Sequence, residues 1–157
     1  LNYSRIFRRI GITSKNTGSI MLNTALTSLT GLPAFAAYFA LAVVLVLLFV
    51  RLYTLVTPHD EFALIRANNA SAAVAFGGAL IGFAWPLASA ITHSMSLLDC
   101  AIWGGVALLV QVLTFFISTA VLKKLPQRIT QGELAAGIFS ACCSVSVGIL
   151  NAACMSY

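Results

Sequence analysis

Long apolar runs alternate with short polar turns along this chain. The first run, PAFAAYFALAVVLVLLFVRLYTLV, covers Pro33 to Val56, and no Asp, Glu, Lys or Arg occurs between Lys15 and Arg51. Three more follow: NASAAVAFGGALIGFAWPLASAI over 69–91, CAIWGGVALLVQVLTFFISTAVL over 100–122, and LAAGIFSACCSVSVGILNAACM over 134–155. About 20 apolar helical residues cross the hydrocarbon of a bilayer. Each run is long enough, and none carries the polar face that a helix in a soluble core needs. Backbone groups in lipid must find their partners within the segment, which favours helix even where VVLVLLFV has strand propensity. The pattern predicts an all-α integral membrane protein with four transmembrane helices arranged as two parallel helical hairpins. Residues 1–20 read as a doubtful or disordered N-terminal extension, and residues 21–157 as the four-helix membrane domain.

The stretch TPHDEFALIRANNASAA, Thr57 to Ala73, is the polar interruption between the first two spans. Thr57 is an N-cap candidate, Pro58 suits a first helical position, and Asp60 stands three residues after Thr57. A short helix from Pro58 to about Ala67 is expected, with Phe62 and Ile65 on the membrane and Asp60, Glu61 and Arg66 facing water. Asn68 or Asn69 can cap the second span.

Composition agrees with lipid as the solvent. Of 157 residues, 60% are hydrophobic and 8% charged, against about 25% charged in soluble domains. The net charge of +5 is not gathered into a basic patch interleaved with aromatics, so nucleic acid is not an expected partner. Membrane lipid is, together with a second copy of the chain or an envelope protein. Arg51, Arg66, Lys123, Lys124 and Arg128 lie in turns on one face, whereas THSMSLLD between spans two and three has no cation. The positive-inside rule then places turns 57–68 and 123–133 in the cytoplasm of a bacterial inner membrane and both termini in the periplasm. Arg5, Arg8, Arg9 and Lys15 oppose this orientation, a conflict that translation from Met21 would remove. Trp85, Trp103 and Tyr38 are expected near the outer headgroups.

Small residues mark helix contacts. Gly78 and Gly82 are four apart, and Ser140, Ser144, Gly148 and Ala152 form a ladder on one face of the fourth span. Pro86 is expected to bend the second span. AAVAF at Ala72–Phe76 returns as AAGIF at Ala135–Phe139, 63 residues later, which hints at duplicated halves.

Candidate chemistry is sparse. Cys100, Cys142, Cys143 and Cys154 give no metal-ligand spacing and read as soft packing residues; a disulfide would need Cys100 and Cys154 to meet at an oxidising face. His59, Asp60, Glu61, Arg66, Asn68 and Asn69 are the candidate contacts to a ligand or partner, although no spacing among them names a metal. Gln111 is the central polar side chain of span three and reads as a hydrogen-bonding link between helices or a pore contact. Asn151 could do the same nearer the outer end of span four. No nucleophile elbow, phosphate loop or cofactor motif is present, and neither catalysis, a cofactor nor a metal is expected.

The stretch from TPHDEFALIRANNASAAVAFGGALIGFAWPLASA through AIWGGVALLVQVL to the closing GILNAACMSY resembles the YjfL family of small bacterial inner-membrane proteins. The resemblance covers about Gly31 to Tyr157 and excludes the first twenty or so residues. It implies a tandem membrane domain of unknown function with four helices, and transfers no catalytic residue. Some members are encoded beside phage-shock-like envelope proteins, which implies an envelope role. The expected function is therefore a non-enzymatic envelope scaffold or stress-associated component, with an oligomeric channel or transporter subunit as the alternative.

Overall fold

The computed structural model describes residues 14–155. They form seven helices: α1 (Ser14–Thr30), α2 (Leu32–Val56), α3 (Glu61–Arg66), α4 (Ala70–His93), α5 (Leu97–Val121), α6 (Leu125–Thr130) and α7 (Leu134–Cys154). No strand occurs among the described residues. The chain divides into two compact units, one ending at Ala37 and the other beginning at Tyr38. Of the 1–20 segment assigned to a doubtful extension, residues 1–13 lie outside the described residues and Ser14 begins α1. Met21 falls within α1. The N-terminal unit breaks its helix at Gly31, whose N–H returns to the Ser28 carbonyl at 3.2 Å before α2 begins.

Four helical stretches have the length and apolar composition to cross a membrane: Met21–Val56, Ala70–His93, Leu97–Val121 and Leu134–Cys154. They coincide with the four apolar runs, the first extended backward through α1. The protein is a multi-pass membrane protein. Large side chains such as Leu47, Ile81, Leu109, Leu113, Ile117 and Leu150 are exposed along these helices. The buried positions of α4 and α7 are instead mostly Ala, Gly and Ser. This arrangement suits a solvent of acyl chains, in which large apolar groups need no burial and close helix approach supplies the cohesion.

In the second unit, α2 packs through aromatic side chains. Phe49 stacks on Phe83 of α4 at 4.7 Å between ring centroids. Tyr53 meets Phe76 of α4 and Phe115 of α5. Residues 49 and 53 thus meet 83 and 76 in reverse order, so α2 and α4 are antiparallel.

The contact between α4 and α7 is made differently. Gly137 approaches the Ser71 backbone, Gly78 faces Ala141, Gly82 faces the Ser144 carbonyl, and Gly148 faces the Gly82 carbonyl. The order of these contacts shows that α4 and α7 run in the same direction. A Cβ placed on any of the four glycines would collide with the facing helix. Ser140, Ser144, Gly148 and Ala152 are all buried on α7. Pro86 lies buried within α4, which runs on through it as one helix to His93.

Leucine at Gly148 or Gly82 must separate α4 from α7. We expect either substitution to cost at least about 1–3 kcal/mol and to lower the thermal midpoint in detergent. Gly77→Leu is the control, because nothing lies within 4 Å of its added Cβ. Equal midpoints for Gly148→Leu and Gly77→Leu would falsify this account of the contact.

Candidate functional site

Two turns meet at one end of the second unit, and each forms from local hydrogen bonding. The Thr57 amide and hydroxyl both donate to the Tyr53 carbonyl at 3.0 Å, closing the end of α2. Thr57 therefore does not start the next helix, as its spacing from Asp60 led us to expect. Asp60 is the N-cap instead, its Oδ1 accepting from the Ala63 N–H at 3.0 Å. The short helix consequently begins at Glu61 rather than Pro58. It ends when Asn68 adopts a left-handed φ of 61°, and the Asn69 N–H reaches back to the Leu64 carbonyl at 3.0 Å.

The second turn repeats the first. After α6, Gly132 takes a positive φ of 80°, and the Glu133 N–H reaches back to the Arg128 carbonyl at 3.0 Å. Asn69 and Glu133 then stand at the N-caps of α4 and α7. These equivalent positions are 64 residues apart, so the AAVAF/AAGIF identity lies one residue out of register with the structural repeat.

Asn69 joins the two turns. Its side-chain oxygen accepts from the Ala72 N–H at 3.0 Å and caps α4 as expected. Its Nδ2 donates to the carbonyls of Ile129 and Thr130 at 3.0 and 3.2 Å. Ser71 adds a bond from its hydroxyl to the Glu133 carbonyl at 2.7 Å. Beside them, Arg128 Nε pairs with Glu133 Oε2 at 2.6 Å. Buried Leu125 and Ile129 of α6 pack with Ala72, Ala75 and Ala136 beneath this layer.

Glu61 is the main departure from the sequence reading. It was expected to face water with Asp60 and Arg66, yet it is 1% exposed. Neither carboxylate oxygen has a hydrogen-bond partner, nor does the buried His59 Nδ1. His59 Nε2 lies 3.5 Å from Glu61 Oε1, beyond ordinary N–H···O length. Tyr53 is within electrostatic reach of Glu61. Burial lowers the pKa of His59 below the usual imidazole value, and the attraction of Glu61 opposes that shift. His59 also lines an open groove of about 710 Å³ with Arg51, Thr54, Thr57, Asp60 and Phe62 among its walls.

The remaining candidates are dispersed. Arg66 and Asn68 are exposed at the end of α3. Gln111 is buried in the middle of α5, where its Nε2 donates to the Ala79 carbonyl of α4 at 3.3 Å and the Ser144 carbonyl of α7 at 3.5 Å. The missing side chain of Gly82 leaves room for that amide. Gln111 therefore links three helices. Asn151 is half-buried on α7, far along the chain from the turns. His93 is exposed, its Nδ1 2.9 Å from the Ser89 carbonyl oxygen. All four cysteines are free thiols, Cys100 buried and Cys154 exposed.

Residues 27–155 match the family described as Domain of Unknown Function (DUF350). The chain belongs to this family. It is 40% identical over 129 residues to the UPF0719 inner membrane protein YjfL of Escherichia coli K12, an alignment covering 82% of this chain and 98% of that protein. The UPF0719 transmembrane protein YshE of Bacillus subtilis 168 is 30% identical over 120 residues, or 75% of this chain and 90% of the relative. No solved structure matches. The YjfL resemblance read from the TPHDEFALIRANN and NAACM segments is thus correct, and the family carries no assigned activity that would define a site.

Two predictions follow from the geometry of the turns. Asn69→Ala removes a cap and both bridging bonds, and should cost about 1–2 kcal/mol or more, read as a lower thermal midpoint in detergent. His59 has a lowered folded pKa, so its contribution to stability is present above the unfolded value of about 6.5 and is lost as pH falls through the folded value. The thermal midpoint should drop on acidification below about pH 6.5, with a smaller drop in His59→Gln. Parallel pH curves for the two proteins would refute the assignment.

Proposed function

We propose that this protein is a non-enzymatic component of the bacterial inner membrane, a scaffold of the envelope or of its stress response. Its two short helices present a fixed surface to a partner. The observation that carries this reading is the joining of the turns. Asn69 and Ser71 tie one turn to backbone carbonyls of the other, so α3 and α6 are held as one surface rather than two loose loops. Pre-organisation of this kind lowers the ordering cost of binding. Relatives named as an inner membrane protein and a transmembrane protein support the location.

Orientation follows from charge. Arg51, Arg66, Lys123, Lys124 and Arg128 belong to the end where the turns meet, and Ser94–Ser96 at the opposite end has no cation. This favours a cytoplasmic α3/α6 surface and periplasmic termini. The occupant of the surface is a second copy of the chain or another envelope protein, with lipid around the spans. A channel or transporter subunit is the competing reading. Gln111 would be its pore residue, but its amide is already engaged with two helix backbones.

Photo-crosslinkers at exposed Phe62 and Gln127 should give discrete adducts in cells, whereas one at Met95, 94% exposed at the other end, should not. The purified protein in liposomes should pass no more ion than empty vesicles. Selective flux that disappears in Gln111→Leu would overturn the scaffold reading in favour of transport. In a background lacking the native cysteines, Met95→Cys should react with an impermeant maleimide added outside spheroplasts. Labelling only after lysis would reverse the orientation.

A further inference from the structure

An ionised carboxylate buried without a hydrogen bond or cation is costly. Glu61 is 1% exposed, both its oxygens lack hydrogen-bond partners, and His59 stands beside it at 3.5 Å. The imidazole itself has a buried, unpartnered nitrogen. A structural salt bridge would show close contact, as Arg128 and Glu133 do at 2.6 Å. The 3.5 Å separation of His59 from Glu61 leaves the pair incomplete.

We infer that His59 and Glu61 together form a binding site for a single proton, with His59 as the link between Glu61 and the open groove. A proton from solvent water adds to the imidazole, and one proton passes on to the Glu61 carboxylate, returning the imidazole to its neutral form. The water that gave the proton leaves as hydroxide or is re-protonated by buffer. His59 is the group placed for this task, since it lines the groove and also faces the carboxylate. Burial works against charge on the imidazole while Glu61 favours it, so a proton delivered to the imidazole is poorly kept there and has the carboxylate as its neighbour.

The surroundings favour a proton over a metal. On α2, Tyr53 is within electrostatic reach of Glu61, and Arg51 lines the groove beside His59. In the turn, Asp60 is committed to the Ala63 amide. On α3, Arg66 is exposed. At this end α4 and α5 bring Phe76 and Phe115 against Tyr53 and no titratable residue. Beyond them, Lys123 and Lys124 are exposed, and Arg128 of α6 is engaged by Glu133. Among the described residues no three His, Cys, Asp or Glu side chains converge as a metal site would require. A proton needs no third ligand.

The test is infrared difference spectroscopy of the full chain in lipid vesicles across a pH series, in water and deuterium oxide. The wild type should show one titrating protonated-carboxyl band that shifts on deuteration and is lost in Glu61→Gln. His59→Gln should keep the band but move its midpoint by about one pH unit, a tenfold change in proton affinity. Imidazole nitrogen resonances of the wild type, with His93→Gln used to assign them, should change at the same midpoint as the band. That measurement stands even if Glu61→Gln fails to fold. A band that persists in Glu61→Gln, a midpoint indifferent to His59→Gln, or no titrating carboxyl at all would overturn the inference. Stoichiometric zinc uptake lost in both variants would overturn it in favour of a metal. Crosslinking and flux results do not bear on these readouts, so the proton site and the scaffold reading fail separately.

Discussion

Helices surrounded by acyl chains gain no hydrophobic free energy by touching each other, because lipid is as apolar as leucine. Their association rests on how closely backbones can approach. In this protein that constraint falls on α4 and α7. Gly78, Gly82, Gly137 and Gly148 each sit where a Cβ would strike the facing helix, so the glycines set the distance at which everything else is placed. Close approach brings the Ala79 and Ser144 carbonyls within reach of one Gln111 side chain. It also aligns the N-termini of α4 and α7 so that Ser71 can donate to the Glu133 carbonyl. The joined turns are thus a consequence of the glycine contact as well as a brace upon it.

The same contact explains the asymmetry of the bundle. Buried polar side chains on α5 follow one face, Gln111, Thr114 and Ser118, toward the end where the turns meet. Ser71, Ser140 and Ser144 are buried on α4 and α7 over a similar depth. Past Gln111, buried Leu87, Ala90 and Ala152 take over. Thr114 closes on its own helix through Val110 at 2.8 Å, and Gln111 uses its amide between helices. Such bonds add stability among helices in lipid.

The four spans were legible because length and hydropathy are properties of contiguous sequence, and lipid forces each such segment into helix. Asn69 as a cap was legible from its residue type at the start of an apolar run, and the burial of Ser140, Ser144, Gly148 and Ala152 follows the four-residue spacing that puts them on one face. The misreadings all concern partners distant in sequence or competing local bonds. Thr57 had two acceptable roles, and the Tyr53 carbonyl at the end of α2 took its hydroxyl as well as its amide. The six-residue α6 carries too few positions to show a period, and only Pro126 near its start marked it. The second use of Asn69, toward Ile129 and Thr130, spans about 60 residues and leaves no local trace. The duplicated turns share a hydrogen-bond pattern rather than a sequence, which is why the short AAVAF/AAGIF match falls out of register.

Glu61 shows why charge along a sequence is a poor guide to exposure at a membrane surface. Polar residues in a turn are assigned to water because water is near, but a turn that is itself folded down has an inner side. Here Asp60, one residue earlier, fixes the start of α3 by accepting from Ala63. Adjacent residues at a helix start point in different directions, so committing Asp60 to the outer cap sends Glu61 inward beneath His59. Asn69 and Ser71 then hold the turn against α6 and α7, which restricts the movement that would return the carboxylate to solvent. The constraint that places α4 against α7 therefore extends, through two caps and one bridge, to an acidic group held away from water at the edge of the membrane. A site of this kind can persist without optimal pairing of its own, because its position is set by contacts made elsewhere.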